Sequence, residues 1–353
     1  MWQHVVRQLR WLIVAFLLAI LGAPAAFLQA QGGGAPLRVV ATVPELGSLV
    51  REVGGDQVTV TMLAKGTEDP HFVDAKPSFV KVLSQADVFV QVGMELEVGW
   101  APTLLQQANN ARVLPGAPGF IDAATVITPL DVPSGPVDRS MGDVHPFGNP
   151  HYLLAPIQGL TVARLLRDRL SAIRSAQKPY FEEHYAAFSQ RLGAALLGET
   201  LARKYDVEKL ALLAEHGRLQ DFLHSQGEAT LLGGWLGRLA AYAGVKAVSD
   251  HSEWSYFAQL FRIQVIGFLE PKPGVPPTTA HLHVLVQTMR DQNVRLILAS
   301  AYYDPRHARF LAQNTGAKIA EMANQGGARP GTEDYLRMVD YNVNQIVTAL
   351  GGV

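Results

Sequence analysis

Leu37-Arg38-Val39-Val40-Ala41-Thr42-Val43, followed at once by Pro44, is the stretch that decides the fold class. Its β-branched, nearly unbroken apolar character predicts a strand buried within a sheet. Beyond Pro44, residues 46–53 read as a short helix closed by Gly54-Gly55, because glycine accepts the backbone geometry that ends a helix. Residues 58–63 are the next strand. Strand, helix and strand in succession form the unit from which parallel sheets are built.

The same alternation continues outward. After the turn-rich Lys65-Gly66-Thr67-Glu68-Asp69-Pro70-His71, a helix starts at Pro77, in the first-turn position that proline favours, and residues 88–92 are a third strand. Residues 111–136 carry apolar pieces among many prolines and yield no clear element. Residues 156–174 read as a helix. A second begins near Pro179, where Phe181, Tyr185, Phe188, Leu192 and Ala195 share one apolar face. Residues 205–244 read as an inserted helical segment without a chemical motif. The alternation then restarts, with strands over 245–248, 264–269, 294–299 and 317–322 and helices between and after them. The expected fold is α/β: two lobes with largely parallel sheets, over 37–178 and 245–353, joined by helices over 179–204 and the insertion 205–244.

Bulk properties narrow the function. The chain has 353 residues, 48% apolar and 17% charged, with a formal net charge of −1, so it can bury a core and offers no basic run for a nucleic acid. Arg7 and Arg10 precede a short apolar run over 11–21 and the small-residue pattern Ala23-Pro24-Ala25, which together read as a secretory signal peptide within residues 1–30. Export points to a periplasmic or extracellular location. The sequence contains no cysteine, which excludes disulfides, thiolate metal sites, cysteine nucleophiles and a lipid-modified cysteine anchor.

Any metal site must then rest on His, Asp and Glu. Gly142-Asp143-Val144-His145-Pro146-Phe147-Gly148-Asn149-Pro150-His151-Tyr152 is too rich in Gly and Pro for regular structure and holds two histidines. His71 lies in the loop after the second strand, and His251 follows the strand over 245–248. Loops at the carboxyl ends of strands are where open α/β sheets bind ligands, so a cleft between two lobes would let His71, His151 and His251 converge. Neutral imidazole suits zinc, whereas manganese calls for more oxygen ligands. Residue type alone does not make this case, because a loop histidine is more often simply solvated. His281 and His283 are two apart on a helix and cannot share a face. His184, His216 and His224 fall in helical regions and His307 near a helix start, so none of these is expected at the site.

The chain resembles the zinc- and manganese-specific solute-binding proteins of bacterial ABC importers. The resemblance rests on Glu68-Asp69-Pro70-His71 with Lys76-Pro77-Ser78, Gln85-Ala86-Asp87, Gly93-Met94-Glu95-Leu96-Glu97, Gly148-Asn149-Pro150-His151-Tyr152, residues 250–257, residues 270–274 and Tyr302-Tyr303-Asp304-Pro305. It implies two α/β lobes joined by one long rigid helix, assigned to residues 179–204, with a metal site in the cleft between them. It also implies metal ligands at His71, His151 and His251, a membrane permease as partner, and a monomer. Zn2+ is favoured over Mn2+. Several positions depart from the family. Residues 321–327 lack the aspartate that serves many relatives as fourth ligand, Ser300-Ala301 stands where many have Glu-Pro, and Ala155 replaces the usual aspartate after the His-Tyr pair. Residues 127–141 also lack the His- and acid-rich loop of some zinc members. The fourth position is therefore open to water or to His145, Glu68 or Glu270.

Two other classes compete. Three histidines and an open position also suit a secreted zinc hydrolase, with Glu68 or Glu253 as general base. A surface adhesin or metal scavenger on the same scaffold is the third. No His-Glu-x-x-His, Gly-x-Ser-x-Gly or phosphate loop is present, so the expectation is a binder and not an enzyme.

Overall fold

The computed structural model describes residues 34–135, 137, 144–272 and 274–352. The signal-peptide reading of residues 1–30, and Gly142 and Asp143 of the Gly/Pro loop, lie outside these described residues.

The opening stretch forms β1 (Leu37–Ala41), and its residues are buried except Arg38. Pro44 starts α1 (Pro44–Gly54) at a position where its missing N–H costs nothing. β2 (Val58–Met62), α2 (Pro77–Gln85), β3 (Val88–Gln91), α3 (Ala101–Ala108) and β4 (Phe120–Asp122) complete the first lobe's sheet, whose order is β2-β1-β3-β4, all parallel. The second lobe holds β5 (Lys246–Ser249), α10 (Ser255–Phe261), β6 (Gln264–Phe268), α11 (Thr279–Asp291), β7 (Leu296–Ala299), α12 (Pro305–Thr315), β8 (Lys318–Glu321) and α13 (Tyr335–Ala349). Its order, β6-β5-β7-β8, is again all parallel and repeats the first lobe's pattern, although the sequence shows no repeat. The two-lobed α/β fold with parallel sheets is thus as expected.

Between the lobes lie α4 (Pro156–Ile173), α5 (Lys178–Leu197) and α6 (Glu199–Lys204). The helix read over 179–204 is two helices, because Gly198 turns to φ 91° and the Leu197 carbonyl accepts the N–H of Gly233 instead of continuing the helix. The contacting segment contains α7 (Val207–Glu215), α8 (Leu219–Ser225) and α9 (Gly234–Ala240). α5 buries Phe181, Tyr185, Phe188 and Leu192 as its apolar stripe predicts, while Ala195 is half-buried.

One apolar core runs through both lobes by way of these helices, from Val39 and Phe89 through Phe188 to Phe257 and Leu298. A smaller one, around Val248, Leu285, Ile297 and Leu311, fills the outer face of the second sheet. Tyr335, at the start of α13, shows how tightly the joint is filled. Its hydroxyl donates to the Leu153 carbonyl at 2.8 Å, and its amide donates to Ser48 Oγ of α1 at 3.0 Å. The ring sits directly against Gly159 of α4, where a Cβ would lie 2.1 Å from the tyrosine oxygen.

Gly159→Ala is therefore expected to destabilise the protein by about 1–3 kcal/mol through overpacking. Thermal unfolding of the metal-free protein checks this. A Tm within about one degree of wild type would show that the ring can move aside at no cost.

Candidate metal centre

Two of the three expected histidines are set by the same local device. Asp69 Oδ1 accepts the backbone N–H of His71 at 3.0 Å, and Asn149 Oδ1 accepts that of His151 at 2.9 Å. In each case Pro lies between, so Asp69-Pro70-His71 and Asn149-Pro150-His151 are matching Asx turns. The Asp69 oxygen also lies 2.7 Å from His71 Nδ1, so Nε2 is the ring nitrogen turned toward the other histidines. Gly148 precedes the second turn at φ 107°, and a Cβ there would meet Pro129 Cβ at 2.6 Å and the Leu130 carbonyl at 2.9 Å. His251 follows β5 and is held otherwise. Ser249 Oγ donates to its carbonyl at 2.7 Å, and Glu270 Oε2 lies 3.4 Å from its Nδ1. Carboxylates behind Nδ1 fix the orientation of an imidazole and raise the basicity of Nε2.

His71, His151 and His251 come together. One ring nitrogen from each lies within 4.8 Å of the others, and among the described residues this is the one group of such side chains with metal-holding spacing. The ring centroids are 5.2 Å apart for His71–His151, 5.5 Å for His151–His251 and 6.0 Å for His71–His251. His151 Nε2 is buried without a hydrogen-bond partner, an expensive state for a polar atom unless something else satisfies it. Burial, reinforced by the neighbouring His71, His251 and His145, pushes the His151 ring well below the usual histidine range, so it is neutral and keeps a lone pair.

The candidates for a fourth position separate clearly. His145 stands beside the triad, its Nε2 3.1 Å from His71 Nε2, and burial first and then its histidine neighbours bring its pKa down to about 3. Glu270 sits behind His251 as described. Glu68 turns back on its own loop, where its carboxylate accepts the Lys65 N–H at 3.1 Å and pairs with Lys65 Nζ at 3.6 Å. Glu253 is buried, receives hydrogen bonds from Ser300 Oγ and Tyr302, and is pushed by burial up to about 8. The loop after β8 offers amides where an acid was sought. Gln325 Nε2 donates to the Glu68 carbonyl at 2.5 Å, while Asn324 Oδ1 and Gln325 Oε1 are buried without partners.

The other histidines lie elsewhere: His281 Nε2 against the Phe268 carbonyl at 3.0 Å, His283 edge-on to Phe310, His184 stacked on Tyr180 at 4.2 Å, and His307 near Asp304. The roles of Asp69 and Asn149 were not anticipated, though the doubled Asx-Pro-His spacing was there to find. Asp69 is itself adjusted by the site. Burial would raise its carboxyl, but the hydrogen bonds and charge of His71 outweigh this and hold it below the usual range.

The profile of the ZnuA family, described as the periplasmic component A of the zinc-uptake complex, matches residues 39–227 and 230–349. The chain belongs to this family. It is 23% identical over 346 residues to the metal ABC transporter substrate-binding lipoprotein ScbA of Streptococcus cristatus, covering 96% of this chain and 97% of that one. It is also 23% identical over 350 residues to the manganese ABC transporter substrate-binding lipoprotein PsaA of Streptococcus pneumoniae serotype 4, covering 98% and 99%. Among solved structures, a crystal structure of ZnuA aligns with TM-score 0.64 and 19% identity over 89% of this chain and 99% of that one, a likeness in fold. A ZnuA-family chain is a solute-binding component of a metal ABC importer, a class that binds a divalent metal and works with a membrane permease. No helix among the described residues is long and apolar enough to cross a membrane.

The ionisable groups make stability depend on pH in two directions. Neutral His145 and His151 favour folding above about pH 6.5, the ordinary histidine value, and this stability is lost as pH falls and the unfolded chain takes up protons. Glu45 and Asp250, raised by burial to about 7, and Glu253, raised to about 8, favour folding at low pH. Their stability is fully present below the ordinary carboxyl range of about 4 and is lost progressively as pH rises from there to those values. Above about pH 6.5 the histidines contribute no further change while the three carboxyls are still losing stability, so the Tm of metal-free protein should fall between pH 6.5 and about 8. A Tm that climbs steadily from pH 5 to 9 would contradict the assignment.

Proposed function

We propose that this protein captures Zn2+ with His71, His151 and His251 and delivers it to the permease of an ABC importer. The buried, unpartnered His151 Nε2 facing two further imidazoles carries the reading. Zinc takes nitrogen ligands at about 2.0–2.1 Å in a tetrahedral set, which three imidazoles begin to form. The cluster contains no carboxylate, and manganese prefers oxygen. The fourth ligand is water, received by His145, whose Nε2 loses its partner once His71 binds metal.

The protein acts as a binder, not as a hydrolase. Glu68 faces its own turn and Glu253 keeps its proton at neutral pH, so neither of the proposed bases suits the task. All three ligands come from one chain, which supports action as a monomer. The basic and apolar pattern of residues 1–30 supports export to the periplasm.

Titration calorimetry with Zn2+ tests the assignment. His71→Ala, His151→Ala and His251→Ala should each weaken binding by at least about a hundredfold, the scale on which metal sites respond to lost ligands and their supports. His145→Ala should cost less, and His281→Ala should leave affinity unchanged. Wild-type affinity in any of the first three removes that residue from the site, and a preference for Mn2+ in direct competition overturns zinc.

A further inference from the structure

The loop after β8 is rooted in the second lobe and closes onto the first. Asn342 of α13 fixes its start: the buried carboxamide accepts the Ala323 N–H at 2.7 Å and donates to the Ala323 carbonyl at 2.8 Å. The loop then folds on itself, with the Gly327 N–H donating to the Thr332 carbonyl at 2.7 Å. Between these ties it reaches across the lobe boundary at two adjacent residues. The Gly326 N–H donates to Glu45 Oε1 of α1 at 2.9 Å, and Gln325 Nε2 donates to the Glu68 carbonyl at 2.5 Å. Gly66, two residues before Glu68, lies flush against the loop. A Cβ there would stand 2.2 Å from the Gly326 carbonyl oxygen and 2.6 Å from the Ala328 nitrogen.

The side chains that make these contacts are deeply buried. Gln325 is 3% exposed and its Oε1 has no hydrogen-bond partner, so the bond from Nε2 to Glu68 is what orients the side chain. Glu45 is also 3% exposed, an expensive place for an acid, and no Lys, Arg or His pairs with it among the described residues. What it accepts across the boundary is the Gly326 amide. Glu68 in turn leads directly to the metal centre. It begins Glu68-Asp69-Pro70-His71, in which the Asp69 side chain holds both the backbone N–H and the ring of His71. The proline and the Asx turn leave this segment little internal freedom, so a displacement of Glu68 carries His71 with it.

We infer that Gln325 is a positioning residue for metal capture: acting from the second lobe through the Glu68 carbonyl, it holds the His71 loop where His71 meets His151 and His251. Glu45 and Asn342 act one step further back, by holding the loop that carries Gln325. This rests on the reading of the three histidines as the metal-capturing set. Loss of the Gln325 bond removes no ligand, so metal still binds. The triad is then assembled for a smaller fraction of the time, which weakens binding in proportion and speeds release.

Protein loaded with Co2+, whose visible bands report its coordination, tests this when it is mixed with excess EDTA and the decay of the bands is timed. Gln325→Met keeps most of the side chain's volume and removes its donor. It should release Co2+ at least about tenfold faster than wild type, the scale on which metal sites respond to lost outer supports. Gly66→Ala, which forces the two loops apart without touching Gln325, should speed release likewise. Glu45→Leu should also release faster, whereas Glu45→Gln keeps an oxygen for the Gly326 N–H and should restore the wild-type rate. Gly159→Ala strains the lobe boundary elsewhere, at Tyr335, and should lower Tm yet release Co2+ as wild type does. Wild-type release from Gln325→Met, or equal acceleration in Gly159→Ala, would overturn the positioning role while leaving metal capture intact. Release from Glu45→Gln as fast as from Glu45→Leu removes Glu45 from the arrangement. Failure of wild type to bind Co2+ at all overturns the triad and the positioning role together.

Discussion

The side chain and backbone of Asn149 are the joint on which the site depends. Its Oδ1 accepts the His151 amide, and its Nδ2 donates to the Ser252 carbonyl at 2.7 Å and to Asp131 at 2.9 Å. Its backbone N–H donates to Leu130 at 2.8 Å, and its carbonyl receives the Tyr256 hydroxyl at 3.1 Å. Ser252 directly follows His251, so one carboxamide sets the loop of His151 against the strand end of His251 across the lobe boundary. Because Asn149 is buried, each bond left unmade would cost about 1–3 kcal/mol, which makes the arrangement all-or-none.

With geometry fixed in this way, electrostatics prepares the triad. Several imidazoles in one buried pocket repel one another's charge and are poorly solvated, so His145 and His151 stay neutral. Neutral imidazole is the form that binds metal. Carboxylates stand behind His71 and His251 and none lies within the triad. Negative charge is thus placed where it orients rings and attracts a cation, while the coordinating atoms are all nitrogen.

The sequence made the sheet order's ingredients plain but not the order itself. β1, β3 and β7 read clearly because strands buried on both faces are continuous apolar runs. β4 did not, since three residues among prolines are too few to show a pattern, and the half-buried α3 that precedes it begins at Ala101-Pro102 without a polar cap. The histidines stood out by their loops and by family resemblance. What residue types could not show was direction. Glu68 and Glu270 looked equivalent in sequence, yet one turns toward Lys65 and the other backs His251, because their orientations depend on partners far away or on turn geometry.

The continuous core bears on how metal would leave. Two lobes with separate cores and strand linkers can swing apart about a hinge. Here α4 and α5 are packed into one apolar core shared by both lobes, and Tyr335 of α13 locks against α1 and α4. Opening the lobes would expose that core, at a cost of about 25 cal/mol for each Å² of apolar surface. The His71 loop is held by its own Asp69 turn and by the Trp100 and Gln325 side chains, which donate to the Pro70 and Glu68 carbonyls, while His151 and His251 are anchored through Asn149 and β5. Release by a shift of one histidine-bearing loop would therefore disturb less packed structure than parting the lobes, because the loop can move while the shared core stays closed.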